Sequence, residues 1–339
     1  MRNGEQRSHQ KPRATCGPAQ PVPDRVVEVA YPPVMGAHRD TRDIGAVLAA
    51  GHRSFSFEFF PPKSDEGERK LWQTLRELES LHPTFASVTY GAGGSTRDRT
   101  VRLTERLAME TTLTPLAHLT CVGADTEQLT GVIAAYAAAG VTNVLALRGD
   151  PPAGPGSPWE RTPGGLDHSD ELVGLVRSLG AFSVGVAAFP EGHPESPSKD
   201  ADAVTLARKA EAGASFAITQ FFFEVNDYLD LVERARSIGC EIPILPGIMP
   251  VTNLSQIQRF AQLSGTAVPD AVVERFSGLD DDPDAVRALG IELASELCAR
   301  LLEEGAPGLH FYTLNSSTAT REIYTNLGVN AVDSISASP

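Results

Sequence analysis

From Thr41 onward, short apolar, β-branched and aromatic runs alternate with stretches of helical character. The β-rich runs predict strands at Phe55–Phe60, Phe85–Tyr90, Leu116–Cys121, Asn143–Leu147, Phe182–Ala187, Phe216–Phe221, Ile242–Pro246 and Gly308–Tyr312. Helices are predicted between them, among them Glu66–Leu81, Thr126–Ala139, Ala201–Ala212 and Tyr228–Ile238, with a last one starting near Ser316. Eight strands alternating with helices imply an α/β fold with a parallel sheet, and eight is the number that closes a (β/α)8 TIM barrel. An open, doubly wound sheet is the alternative on this pattern alone. The segment Leu254–Leu302 holds more helix than one crossover needs and reads as an insertion between strands seven and eight. Pro151–Asp167, rich in proline and glycine, reads as a long loop after strand four, of the kind that serves as a lid or binding loop.

Residues 1–40 are rich in Pro, Arg, Gln and Gly without sustained apolar periodicity, and are expected to form a disordered tail. A single catalytic domain is expected over residues 41–332, followed by a short tail at 333–339.

Composition narrows the function. The chain has 339 residues, 41% hydrophobic and 21% charged, which is ordinary for a globular protein. A net charge of −14 argues against nucleic acid as a partner, because phosphate binding needs a surplus of Lys and Arg. It leaves room for one small anion in a local basic pocket. Cys16, Cys121, Cys240 and Cys298 are scattered, so neither a metal site nor a disulfide framework is expected. No apolar run is long enough to span a membrane and the N-terminus lacks a signal-peptide stretch, so a cytoplasmic enzyme is expected.

In a barrel the chemistry sits where the strands end. The first strand carries Ser54, Ser56 and Glu58 on one face and Phe55, Phe57 and Phe59 on the other. Glu58 then points inward at the barrel mouth, and a carboxylate among so many rings is expected to have a raised pKa suited to giving up a proton. The competing reading is a Glu held by a buried cation. Strand two runs into Thr89-Tyr90-Gly91-Ala92-Gly93-Gly94, a near miss of the dinucleotide fingerprint, whose glycines either let a flat ligand approach or only make a turn. Strand three carries His118, which on spacing alone reads as a satisfied core residue. Strand four ends in Arg148-Gly149-Asp150, two charges that pair with each other or leave Asp150 to stabilise positive charge on a substrate. Beyond strand five, Thr205, Arg208 and Lys209 give one helical face a hydroxyl and two cations, which suits a diphosphate or is an ordinary solvated face. Gln220 lies among aromatics at the end of strand six, placed to read a heteroaromatic edge or satisfied by backbone.

The strings SFSFEFFPPK, SVTYGAGGSTRDRT, HLTCVG, LALRGDPP, VAAFPEGHPES, AGASFAITQFFFE, PILPGIMPVTN and HFYTLN together resemble the bacterial methylenetetrahydrofolate reductases. They follow the family's order, one per strand end, over roughly Thr41 to Val332. The resemblance implies a noncovalent FAD in a (β/α)8 barrel, reduced by NADH or NADPH, with methylenetetrahydrofolate then taking the same place in a ping-pong scheme. NADH is the better match to stand-alone bacterial members, and homo-oligomers are implied.

By the same resemblance Glu58 is the acid that assists opening of the folate ring, and Asp150 the carboxylate that stabilises the resulting cation. Thr89, Tyr90, Ala92, His118, Arg148, Gly149, Asp150, His168, Ser169, Phe189, His193, Asp202, Thr205, Arg208 and Lys209 match cofactor-binding positions. Gln220, Gln256 and Phe260 match substrate-binding positions. Phe189 and His168 stand where some members have a phenol. Ser316 replaces an Arg of some members, which leaves Arg321 or another cation to meet the folate's glutamate tail. Two rivals remain: another FAD barrel such as a proline-dehydrogenase-like amine oxidase, and a non-enzymatic flavin or pterin sensor.

Overall fold

A computed structural model describes residues 1, 42–90, 94–151, 157–264, 268–279 and 281–329, the side chains of 94–98, 260, 263 and 264 excepted. The expected tails at 2–40 and 333–339 lie outside the described residues. The parallel strands β1 (Ser54–Phe59), β2 (Phe85–Val88), β3 (Pro115–Thr120), β4 (Asn143–Leu147), β5 (Ser183–Ala188), β6 (Phe216–Phe221), β7 (Ile244–Ile248) and β8 (Gly308–Tyr312) pair in sequence order into a closed barrel. The last strand returns to the first, with Ser56 opposite His310 and Glu58 opposite Tyr312. The open-sheet alternative is thereby excluded.

The outer layer forms for local reasons. Helix α2 (Asp65–Glu79) starts at Ser64, whose hydroxyl accepts from the Gly67 N–H, and Asp65, Glu66 and Glu68 complement the positive end of its dipole. Its buried face, Leu71, Leu75 and Leu78, packs with Phe55, Phe57 and Phe59, the outward face of β1. Tyr324 of the final helix (α11, Thr318–Asn326) meets Phe55 and Phe57 edge-on or tilted, with centroids 5.5 and 5.6 Å apart. Each of these buried rings contributes roughly 1.5–3 kcal/mol relative to exposure. The period-two reading of β1 therefore holds on both faces.

Three of the eight strands, β4, β6 and β8, keep their predicted bounds, and the other five shift by one or two residues at one or both ends; β7 shows a physical reason. The prediction stops at Pro246, but the strand runs on to Ile248. Pro246 has no N–H to give, and the β6 register skips from Ile218 to Phe221 at that point, so the missing donor falls in an irregularity. Gly247 N–H donates instead to the Thr219 hydroxyl at 2.8 Å.

A short helix, α1 (Ile44–Ala49), was not legible from periodicity. Its first N–H groups donate to Asn143 Oδ1 and Ser183 Oγ, both at 3.0 Å. Ile44 and Leu48 join Phe85, Leu116, Leu145, Phe216, Ile218 and Leu245 in one buried cluster. The N-terminal end of the barrel is thus plugged with hydrocarbon, and polar chemistry is confined to the other end. The predicted insertion resolves into α8 (Leu254–Ser264), α9 (Asp270–Arg275) and α10 (Pro283–Glu303), which share a second core with Phe221, Met249 and Val251.

Candidate active site

Above the apolar plug the barrel interior turns polar. Ser56 and Glu58 of β1, Ser87 of β2, His118 and Thr120 of β3, Thr219 of β6 and His310 of β8 are all buried. Glu58 is only 6% exposed, yet its neighbours are hydroxyls and imidazoles rather than the rings of its own strand. Thr89 donates from Oγ1 to Glu58 Oε1 at 3.0 Å. His310 Nε2 stands 3.1 Å from Oε2, and His118 Nε2 lies 3.5 Å from the same oxygen. Thr313 ties down the Glu58 carbonyl through its N–H at 3.1 Å and its hydroxyl at 2.7 Å.

This arrangement corrects the expected pKa. Burial is the largest influence and pushes the Glu58 carboxyl up, but the His118 charge, the His310 hydrogen bond and charge, and the Thr89 hydrogen bond together outweigh it. The carboxyl is held below its ordinary value. The phenylalanines of β1 face the helices, as their spacing predicts, and the groups that hold the carboxyl down come from other strands. His118 is itself pushed down by burial, which the nearby Glu58 charge offsets only in part. Glu58 and His118 are therefore coupled: once His118 is neutral, burial of Glu58 is less opposed.

Nothing in the sequence by itself marks His310 and Ser56 as site residues. Ser56 was legible as inward-facing, but nothing in its own strand gives it a partner. The signal lay in barrel closure, which pairs β8 with β1 and brings HFYTLN alongside Ser56 and Glu58. The same string ends in Asn315, whose amide clasps Phe60 by accepting from its N–H at 2.8 Å and donating to its carbonyl at 2.9 Å.

On the opposite side of the mouth, Gly149 follows β4 with φ +84, a conformation that favours glycine, and a Cβ there would stand 2.4 Å from Val122 Cγ1. Asp150 follows it, exposed. Arg148 does not pair with Asp150 in a direct bridge. It bonds Glu195 in bidentate fashion at 2.5 and 3.0 Å, and its guanidinium lies 4.9 Å from the Trp159 ring centroid. Phe189 and His193 pack edge-to-face at 4.7 Å, and the His193 N–H donates to Asp202 at 2.6 Å.

The helical face of α6 (Lys199–Glu211) divides. Lys209 is buried, with Nζ donating to the Ala187 carbonyl at 2.9 Å, and burial pushes it down to about 8 against the raising charges of Asp202 and Asp170. Arg208 is exposed and 3.5 Å from Asp170. The Thr205 hydroxyl turns back to the Ala201 carbonyl at 3.0 Å. His168 and Ser169 stand at the start of α5 (Ser169–Leu179), where helix N–H groups and the dipole favour an anion.

Gln220 follows the backbone reading in part: its Oε1 accepts from the Phe221 N–H at 3.0 Å, while its amide nitrogen has no partner among the described residues. Tyr90, just past β2, is buried in the main hydrophobic core. Gln256 lies exposed on α8. Phe260 belongs to the same helix, but its side chain lies outside the described residues, as does Ala92. Arg321 sits on α11, where its charge acts on Glu77 of α2.

Residues 43–328 match the family model described as methylenetetrahydrofolate reductase. The chain is 39% identical over 293 residues to the 5,10-methylenetetrahydrofolate reductase of Escherichia coli, covering 86% of this chain and 97% of that one. It is 40% identical to the Pectobacterium carotovorum enzyme of the same name over 279 residues, 82% of this chain and 91% of the other. An Arabidopsis thaliana methylenetetrahydrofolate reductase (NADH) is 36% identical over 87% of this chain, which spans 52% of the plant protein. Among solved structures, a Clostridium thermocellum protein described as binding two copies of 5-methyl-5,6,7,8-tetrahydrofolic acid shares the fold with a TM-score of 0.56 at 12% identity, over 86% of this chain and 99% of that one.

Proposed function

The chain belongs to the methylenetetrahydrofolate reductase family, and from that premise we propose that it reduces 5,10-methylenetetrahydrofolate to the 5-methyl form with a bound FAD and NADH, Glu58 serving as the acid. The observation that carries the reading is the buried Glu58, tied to three strands through Thr89, His118 and His310 at the open end of a barrel whose other end is closed by hydrocarbon.

The residues present fit FAD. Lys209 is a buried cation and Arg208 a second one nearby, and both, with the start of α5 at His168 and Ser169, suit the diphosphate. His118 Nδ1 and the Thr120 hydroxyl are buried without a hydrogen-bond partner among the described residues, as expected where a polar ligand completes the set. Tyr90, Ala92, Arg148, Gly149, Phe189, His193, Asp202 and Thr205 would line the rest. When bound, FAD supplies the two-electron relay between nicotinamide and folate.

Residues of the chain do the remaining work. Gln220 holds the pterin edge, and Gln256 and Phe260 hold the folate from α8. Glu58 passes a proton to the ring nitrogen that leaves as the five-membered ring opens. Covering the mouth with flat ligands removes water from Glu58, which pushes the carboxyl up toward a proton-holding state. Asp150 stabilises the positive charge that ring opening leaves on the folate. The test is stopped-flow reduction of the FAD-loaded protein by NADH and, separately, NADPH, followed by reoxidation with methylenetetrahydrofolate. Rapid reduction by NADH and reoxidation by the folate are expected; flavin that is not reoxidised by the folate would refute the reading.

A further inference from the structure

The two oxygens of Glu58 have different kinds of partner. Oε2 faces the His310 ring, which has no exposed surface and is fixed on both sides: Phe85 stacks on it at 5.6 Å with an interplanar angle of 21°, and Tyr312 meets it edge-on at 5.4 Å. Behind the ring, Ser56 Oγ lies 2.8 Å from His310 Nδ1 and 3.5 Å from the Leu309 carbonyl. The shorter contact makes Nδ1 the natural acceptor of the serine hydrogen. The ring hydrogen then resides on Nε2 and donates to Oε2 at 3.1 Å.

Oε1 faces Thr89, whose hydroxyl is 3.0 Å from that oxygen and 3.2 Å from the Phe59 carbonyl. This hydroxyl has a second acceptor at nearly the same distance. When Oε1 carries a proton, it donates to Thr89 Oγ1 while Thr89 turns its own hydrogen to Phe59, and every donor keeps a partner. A proton on Oε2 would instead meet the Nε2–H of His310, and the other nitrogen facing Oε2, His118 Nε2 at 3.5 Å, is too distant to accept it well. Relieving that clash requires the other tautomer and sends the Ser56 hydrogen to the longer Leu309 contact.

We propose that His310, held by Ser56, is a positioning residue that reserves Oε2 of Glu58 as an acceptor and makes Oε1, on the Thr89 side, the oxygen that carries the transferable proton. The inference rests on Glu58 being the acid of the folate reaction. In that step the Oε1–H bond breaks, the proton goes to the departing ring nitrogen, and the Thr89 hydroxyl swings from Phe59 back to Oε1. The new negative charge is met at once by His310 N–H, with no change in the Ser56–His310 pair. The groups that face the carboxyl are Thr89 from β2's end, His118 from β3, and His310 and Tyr312 from β8. Beneath them lies the apolar plug, so proton exchange runs through the Thr89 side.

The direct test is nitrogen NMR of the full-length protein labelled with ¹⁵N-histidine, at neutral pH, with the His310 signals assigned by their loss in His310→Gln. A protonated Nε2 and an unprotonated Nδ1 are expected. A protonated Nδ1 with a bare Nε2, or a fully protonated ring, would overturn the proposal without touching the role of Glu58. Ser56→Ala should blur the tautomer and slow flavin reoxidation by the folate about tenfold, the worth of one buried hydrogen bond, while leaving flavin reduction by NADH within twofold. An unchanged tautomer and reoxidation rate in that variant would also overturn it. Loss of the Glu58 acid role itself is read separately, from Glu58→Gln, so the two failures are distinguishable.

Discussion

His118 Nε2 lies 3.5 Å from Glu58 Oε2, and both side chains are buried. The pair binds its protons jointly, because the charge that holds Glu58 down is one that burial of His118 resists. Since the folded-state pKa of Glu58 is depressed, its contribution to stability is present above the ordinary carboxylate range and is lost as pH falls through the folded value. His118→Asn removes the charge and should raise the Glu58 pKa. Infrared titration of the carboxylic C=O band would read it; an unmoved midpoint would mean that His310 and Thr89 alone set the carboxyl.

Lys209 gives a second pH prediction. Burial pushes its ammonium down to about 8 in the absence of an anion. A diphosphate beside it favours the charged form, so binding takes up a proton above that pH. FAD affinity should therefore fall as pH rises through about 8, by up to about tenfold for each further pH unit. Lys209→Met should bind FAD more weakly and with a flat profile over the same range. Isothermal titration checks both; a flat wild-type profile would remove Lys209 from the phosphate site.

Gly149→Ala should damage both stability and the site. The substitution puts a side chain at φ +84 and within 2.4 Å of Val122. A cost of about 1–3 kcal/mol is expected from the strained backbone, read as a lower urea midpoint. Displacement of the adjacent Asp150 should slow flavin reoxidation by the folate. A wild-type midpoint would show that the β4 turn relaxes freely.

The barrel plug is separable from the chemistry. Ile44→Ala hollows the cluster under the barrel and should cost about 2–5 kcal/mol, with steady-state constants unchanged where the protein remains folded. A variant as stable as wild type would mean that α1 is not part of the core.

These predictions also mark what the sequence made legible. Period-two alternation placed Phe55, Phe57 and Phe59 against the helices and Glu58 inside, because a strand's two faces follow from spacing alone. It did not reveal what Glu58 touches, because Thr89, His118 and His310 come from 31 to 252 residues away and meet it only through barrel closure. The expected rise in its pKa failed for that reason: desolvation was inferred from residues adjacent in sequence, whereas the compensating groups are adjacent in space. Helix α1 escaped notice because one and a half turns are too few to show an apolar period. On α6, spacing grouped Thr205, Arg208 and Lys209, but only packing revealed which cation is buried.

On the proposed mechanism, Glu58 acts in the folate half of the reaction and is dispensable in the nicotinamide half. Stopped-flow absorbance of FAD-loaded Glu58→Gln measures both in one protein. Flavin reduction by NADH is expected within a few-fold of wild type and reoxidation by methylenetetrahydrofolate slowed by roughly 10²–10⁴, the usual worth of a general acid. Reoxidation at the wild-type rate, or equal loss in both halves, would contradict it.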